Sequence, residues 1–258
     1  ALVAANSDAR WRVKWEHPAF CGKGADDVAA ARLGLGDARH VVARENGFDD
    51  WPHLVSFTEA LALEPAVQRF EAAADAIVTG ELATLQSLLR EDPELIRGRS
   101  ARRHHATLLH YVAANGVENV GQNTPPNIVR IAETLLDAGA EVDATGDMYG
   151  EKCTTMSMLV SSSPPAEARV QTELAELLVD RGARLEGPRS KWQSALMTAL
   201  MFGFIDTAKA LARKGASVDG LAAAAGLGDA AAPAALLPQG GAPERHPGLG
   251  LGSEHGHV

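Results

Sequence analysis

Apolar residues recur at helical spacing through most of the chain, and from Thr107 onward they do so in paired segments. TLLHYVAANG (Thr107 to Gly116) and IVRIAETLLDAGAEVD (Ile128 to Asp143) read as one helix-turn-helix unit closing on a Gly-Ala turn. TTMSMLVSSS (Thr154 to Ser163) with VQTELAELLVDRGARLE (Val170 to Glu186) repeats it, and SALMTALMFG (Ser194 to Gly203) with IDTAKALARKGASVD (Ile205 to Asp219) repeats it again. The Gly-Ala turns fall at Gly139, Gly182 and Gly215, 43 and 33 residues apart. The surplus in the first interval sits in SSSPPAEAR (161–169), which predicts an enlarged loop between two helices. An upstream unit is legible in AADAIVTGELATLQSLLREDPELI (Ala73 to Ile96), with Gly80 at its turn and Pro93 ending its second helix.

Composition fits that pattern. Apolar residues make up 46% of the chain and aromatics 5%, carried mostly by Ala and Leu, which suits helices packed closely through small side chains. Strand signals are sparse, so an all-α fold is expected, and at 258 residues one elongated array is favoured over two ordinary domains.

A period of about 33 residues is the ankyrin period, and the chain resembles the ankyrin repeat family over roughly residues 68 to 237. Thr107, Leu108, Leu109 and His110 match the family's Thr-Pro-Leu-His turn with Leu in place of Pro, and Ala113 and Ala114 match its small positions. Thr154 and Ser157 stand at the Thr and His places of the next unit, and Ser194 and Met197 at those of the one after. The resemblance implies an ankyrin solenoid of about four to five units over 65–237, with projecting loops. Residues 1–64 resemble the helical leader of many bacterial ankyrin proteins. His17, Pro18 and Phe20, then Ala43, Arg44, Glu45, Gly47, Phe48, Trp51, Pro52 and Leu54, carry that likeness.

Such a leader is expected to cap the apolar flank of the first repeat, with Phe48 and Trp51 as core anchors. Asp219 to Leu237 resembles a shortened unit, and the glycine-rich segment 238–258 reads as a decayed or incomplete terminal repeat, expected to be weakly ordered.

Charge narrows the function classes. A formal net charge of −9 argues against a general nucleic-acid binder, which needs a basic face. Cys21 and Cys153 are far apart and in unlike contexts, so neither a disulfide framework nor a metal site follows from them. No run of eighteen apolar residues exists and the first residues lack a signal-peptide layout, so a cytoplasmic protein without membrane association is expected.

Candidate chemistry is thin. His110 reads as a turn-locking residue, His104 and His105 are adjacent and diverge, and His255 and His257 lack supporting ligands, so no metal is expected. No Gly-x-Ser-x-Gly elbow is present, and GLGLG lacks the Lys-Ser or Lys-Thr of a phosphate loop, so no catalytic residue and no cofactor are assigned.

Binding is better supported. In the ankyrin family the concave side and the projecting loops hold other proteins, which here would be the segments 98–106, 144–153 and 187–193. Arg99, Arg102, Arg103, His105, Met148, Tyr149, Lys191 and Trp192 are the expected contact residues, because Arg and aromatic side chains dominate interface energetics. The partner would be a protein, its surface acidic where it meets the basic loop. The alternative is a small-molecule binding protein or enzyme, with a pocket between leader and early repeats lined by Trp15, His17, His105, Tyr111 and Asn115.

Overall fold

The computed structural model describes residues 7–20, 22–186 and 194–218. The shortened unit expected at 219–237 and the terminal segment from 238 lie outside them. Helices dominate, as the apolar spacing predicts.

The leader forms α1 (Ser7–Glu16), α2 (Ala25–Ala30), α3 (Leu35–Glu45) and α4 (Trp51–Leu63), with a 3-10 turn at Pro18–Phe20. Asp37, in the first turn of α3, accepts a hydrogen bond from Gly34 N at 2.7 Å, and Asp50 caps α4 by accepting from His53 N at 3.0 Å. Val13, Phe20, Val28 and Val41 make one small core, and Ala43, Phe48 and Phe57 make a second that includes Val67 of the following helix. Phe48 is a core anchor as expected. Trp51 is only half-buried, its ring covered by the Arg39 guanidinium at 5.3 Å.

Helix pairs follow. α5 (Pro65–Thr79) packs on α6 (Leu82–Glu91), and a 3-10 helix (Leu108–Ala113) packs on α7 (Ile128–Asp137). α8 (Thr155–Leu159) packs on α10 (Gln171–Asp180), and α11 (Ala195–Met201) on α12 (Ile205–Arg213). First helices touch first helices, in the order α5, Leu108–Ala113, α8, α11. Second helices touch second helices, in the order α6, α7, α10, α12. The core is the seam between these two rows, filled by Ile77, Leu85, Leu109, Ile131, Leu135, Leu174 and Leu211.

The repeat is visible in the backbone bonds. Gly139, Gly182 and Gly215 all take left-handed φ (93°, 91° and 97°), and the alanine after each donates N–H to a helix carbonyl five residues back. That closure satisfies the last carbonyls of the helix and requires a residue indifferent to positive φ. Starts repeat as well. Ser157 N donates to Thr154 Oγ1 at 3.2 Å and Met197 N to Ser194 Oγ at 3.3 Å, so the diverged units keep their caps.

Three features differ from the sequence reading. The segment 161–169 is not an open loop but contains a short helix, α9 (Ser163–Glu167), because Pro164 and Pro165 fall in its first turn, where no N–H is needed. Leu108–Ala113 is wound as a 3-10 helix, not an α-helix. All six of its side chains are buried, leaving no solvent-facing stripe, so packing sets the winding. A β-hairpin, β1 (Thr145–Met148) and β2 (Glu151–Thr154), pairs Met148 with Glu151 across a two-residue turn. Tyr149 and Gly150 both take positive φ there (54° and 77°), the backbone that a tight hairpin turn needs.

Gly80, between α5 and α6, is tightly constrained. Its φ is 82°, and a Cβ there would lie 2.7 Å from Asn127 Oδ1 and 2.9 Å from Pro125. Gly80→Ala is expected to lower stability by about 2 kcal/mol in chemical denaturation, combining positive-φ strain with displacement of Asn127 from the Gly80 carbonyl. A change below about 0.5 kcal/mol would mean that the α5–α6 turn relaxes freely.

Candidate functional site

The segment 98–106 was expected to project a row of basic side chains. It is instead divided between an exposed edge and a buried joint. Alternation along the loop decides the split: Ser100, Arg102 and His104 point inward, while Arg99, Arg103 and His105 point outward.

Arg102 is the joint. It is 8% exposed, and its Nη1 donates to Glu71 Oε2 of α5 at 2.6 Å. Its Nε donates to the Asn46 carbonyl at the end of α3 at 3.1 Å, and its guanidinium sits 4.6 Å from the Phe57 ring centroid. One side chain thus ties the leader to the first helix of the array. The neighbouring Arg103 N–H adds a bond to Gly47 O at 2.9 Å. Gly47 has no Cβ to obstruct this approach, since one would lie 3.0 Å from Arg102 Cδ.

Glu118 completes the cluster. The loop 116–127 carries it back beneath Leu108–Ala113, where it is 6% exposed. Glu118 Oε2 accepts from His104 Nε2 at 3.0 Å and from the Tyr111 hydroxyl at 3.3 Å, and lies 3.7 Å from Arg102 Nε. His104 Nδ1 accepts from Ala106 N at 3.1 Å, which leaves the proton on Nε2, facing Glu118. Burial alone would raise the Glu118 carboxyl, but the His104 hydrogen bond and the Arg102 charge hold it below its usual range. Glu71 goes the other way: burial raises its carboxyl and the Arg102 charge only partly offsets that. Burial and the Glu118 charge together raise the Tyr111 phenol, keeping it neutral.

His110 is locked in place. Its Nδ1 accepts from Thr107 N at 3.1 Å and lies 2.8 Å from Thr107 Oγ1, while its Nε2 donates to the Cys153 carbonyl of the next unit at 3.2 Å. Burial pushes its pKa down to about 4, so the ring is neutral near pH 7.

The exposed edge has two strands of chain held side by side. Arg99 Nη1 donates to the His105 carbonyl at 2.9 Å and to the Thr145 carbonyl at 2.8 Å, and Asp147 N donates to His104 O at 2.7 Å. Loop 98–106 and the β1–β2 hairpin therefore form one surface. At its tip, Tyr149 is 58% exposed while its hydroxyl donates to Asn115 Oδ1 at 2.5 Å. Asn115 is fixed in turn by donating to Ser161 Oγ at 2.8 Å. The phenol is tethered and the ring faces solvent.

Of the expected partner contacts, Arg99, Arg103, His105 and Tyr149 thus lie at the surface. Arg102 and Met148 do not: Met148 is 2% exposed, because its place in β1 turns it inward toward Gly116 and Gly146, and neither residue is available to a partner. Lys191 and Trp192 lie outside the described residues.

The residues expected to line a pocket are dispersed. His17 bonds Asp37 at 3.1 Å within the leader, Trp15 stacks on Trp11 at 6.4 Å, Tyr111 is buried against Glu118, and Asn115 sits under the hairpin. His105 is on the loop surface. A groove lined by Ala66, Val67, Phe70 and Leu95 contains none of them. Sequence reading missed Glu71 and Glu118. Glu118 carried a signal, a carboxylate in the long Gly116-to-Asn127 interval, but nothing in the sequence set it against His104. Among the described residues no group of His, Cys, Asp and Glu is arranged to hold a metal, and no helix is long and apolar enough to cross a membrane.

Searches against protein-family models and against curated proteins gave no match to this chain.

Proposed function

We propose that the chain is an ankyrin-type repeat stack that works as a binding module, holding a partner protein on the surface formed by loop 98–106 and the β1–β2 hairpin. Support for the stack comes from the repeated Gly-Ala closures and the two rows of helices. The observation that carries the binding reading is Tyr149. An aromatic ring that is 58% exposed, held at a hairpin tip by its own hydroxyl, offers contact area with little rotamer entropy left to lose. Arg103 and His105 are exposed on the adjoining loop and favour an acidic partner surface.

A photoactivatable amino acid placed at position 149 should crosslink a specific protein in the native host, and the same residue at Glu59 on α4 should not. Against that purified protein, Tyr149→Ala is expected to weaken binding by about 2 kcal/mol, roughly thirtyfold, while stability falls by no more than the roughly 1 kcal/mol of its hydroxyl bond to Asn115. Identical crosslinked species at both positions, or unchanged affinity for the variant, would remove this surface from consideration.

A further inference from the structure

The joint at Arg102 holds more carboxylates than cations. Glu71 and Glu118 are both withdrawn from water, their side chains 13% and 5% exposed, and both lean on the one guanidinium, at 2.6 Å and 3.7 Å. His104 adds no charge, because its Nδ1 accepts the Ala106 N–H and keeps the ring in its neutral form. Burial keeps Tyr111 a neutral phenol. The buried set therefore carries one negative charge in excess, and a charge withdrawn from water without a partner is costly. A single bound proton removes the excess.

Glu71 is where that proton fits. Glu118 Oε2 accepts from His104 and Tyr111 as well as facing Arg102, so its ionised form is well satisfied. Glu71 Oε2 accepts from Arg102, but its Oε1 is buried with no hydrogen-bond partner among the described residues. Burial accordingly raises the Glu71 carboxyl above the ordinary 4.5, the Arg102 charge offsets part of the rise, and the like charges of Glu118 and of Asp75 on the same helix add to it. Other charged groups near α5 are engaged elsewhere: Asp92 with Arg69 at 3.0 Å, Glu94 with Arg97 at 3.3 Å, and Arg99 with the carbonyls of His105 and Thr145. The leader presents the Asn46 carbonyl and the Phe48 and Phe57 rings to Arg102, none of them ionisable. It also helps to bury the site, since Val67, one turn before Glu71 on α5, packs against the core of Ala43, Phe48 and Phe57.

We infer that the joint between leader and array is a proton-sensitive latch, in which one proton on Glu71 neutralises the buried cluster and the leader is docked most firmly while that proton is bound. Docking and protonation are linked because undocking returns Glu71 to water, where it releases the proton more readily. A carboxyl raised in the folded chain contributes stability that is full below its ordinary 4.5 and is lost as pH rises through the folded value. Glu118, held below the ordinary range, has the opposite dependence. The latch does not depend on the Tyr149 surface.

Carboxyl carbon-13 NMR of the full chain across about pH 4 to 8, with Glu71→Gln to assign the resonance, tests it. Glu71 Cδ should titrate with a midpoint above 4.5. The Gly47 and Phe48 amides, which share peptide units with the carbonyls held by Arg102 and Arg103, should move with the same midpoint. Glu71→Gln, a mimic of the protonated form, should remove that movement. In urea unfolding it should gain on the wild type as pH rises from about 4 to about 8, approaching tenfold in the folding equilibrium constant for each unit by which the folded midpoint exceeds the ordinary one. Glu118→Gln, which removes the excess charge, should lower the Glu71 midpoint. A Glu71 midpoint at or below 4.5, leader amides that do not follow it, or amides that keep the same titration in Glu71→Gln would each overturn the latch. So would an unchanged Glu71 midpoint in Glu118→Gln.

Discussion

Replacing Arg102 by Met is expected to destabilise the protein by about 3–5 kcal/mol, the largest effect of any single exposed-looking basic residue in the sequence. At the usual slope for a chain of this size, that lowers the melting temperature by on the order of 10 °C. The cause is what the substitution leaves behind. Glu71 and Glu118 would remain buried without their cation, and the Asn46 carbonyl would lose its donor. Glu71 already has one buried oxygen, Oε1, with no hydrogen-bond partner, so little compensation is at hand. Adding Glu71→Gln to Arg102→Met should recover part of the loss, because it removes one stranded charge, and a double-mutant cycle measures how much. If Arg102→Met costs less than about 1 kcal/mol, Arg102 does not join leader to array.

The second large effect is on acid stability. His110 titrates near pH 4 in the folded chain against 6.5 for the ordinary side chain, so its folded pKa is depressed. Above pH 6.5 both states hold it neutral and it adds no pH dependence. Between pH 6.5 and about 4 the unfolded chain takes up a proton that the folded chain refuses, and stability falls as pH falls. Below about 4 both states are protonated and the slope vanishes. The loss accumulated across that window is on the order of 3 kcal/mol. Urea unfolding of the wild type and of His110→Gln at pH 7 and pH 4.5 isolates the contribution. The variant should be less stable at pH 7, by about 1–3 kcal/mol for its weakened bonds to Thr107 and Cys153, yet lose less on acidification. Equal losses in the two proteins would place the acid sensitivity elsewhere than His110; Asp37 and Asp50, whose carboxyls are lowered from 3.8 chiefly by backbone hydrogen bonds from Gly34 and His53, lose stability only at lower pH than this window.

Both predictions concern residues that the sequence displayed without explaining equally well. His110 was legible, because a Thr three residues ahead of a His at a helix start is a local geometry, and the bonds to Thr107 N and Oγ1 close within one turn. The Gly139, Gly182 and Gly215 closures were legible for the same reason. Arg102 was misread. Placed in the run RSARRHH, it differs in no way from Arg99 and Arg103 by composition, and the inward-outward alternation that buries it exists only once the loop is laid against α3 and α5. Tyr149 was selected as an aromatic in a polar segment, but its role as the first residue of a two-residue hairpin turn was not foreseen, since Tyr is an unusual choice at positive φ.

What the sequence determined by itself is what depends on neighbours within a few residues: the mostly helical character, most of the helical segments with their caps and closing glycines, and the recurrence of those local patterns along the chain. Periodicity, caps and left-handed glycines are local, so a string of letters contains them. The tertiary structure alone decided which charges are internal. Glu71, Arg102 and Glu118 are 31 and 16 residues apart along the chain, and they meet because α5, the loop after Gly98 and the loop after Gly116 converge at the flank of the leader. Burial there turns an ordinary basic loop into a joint, since an ion pair withdrawn from water is strongly destabilising to break and a solvated one is not.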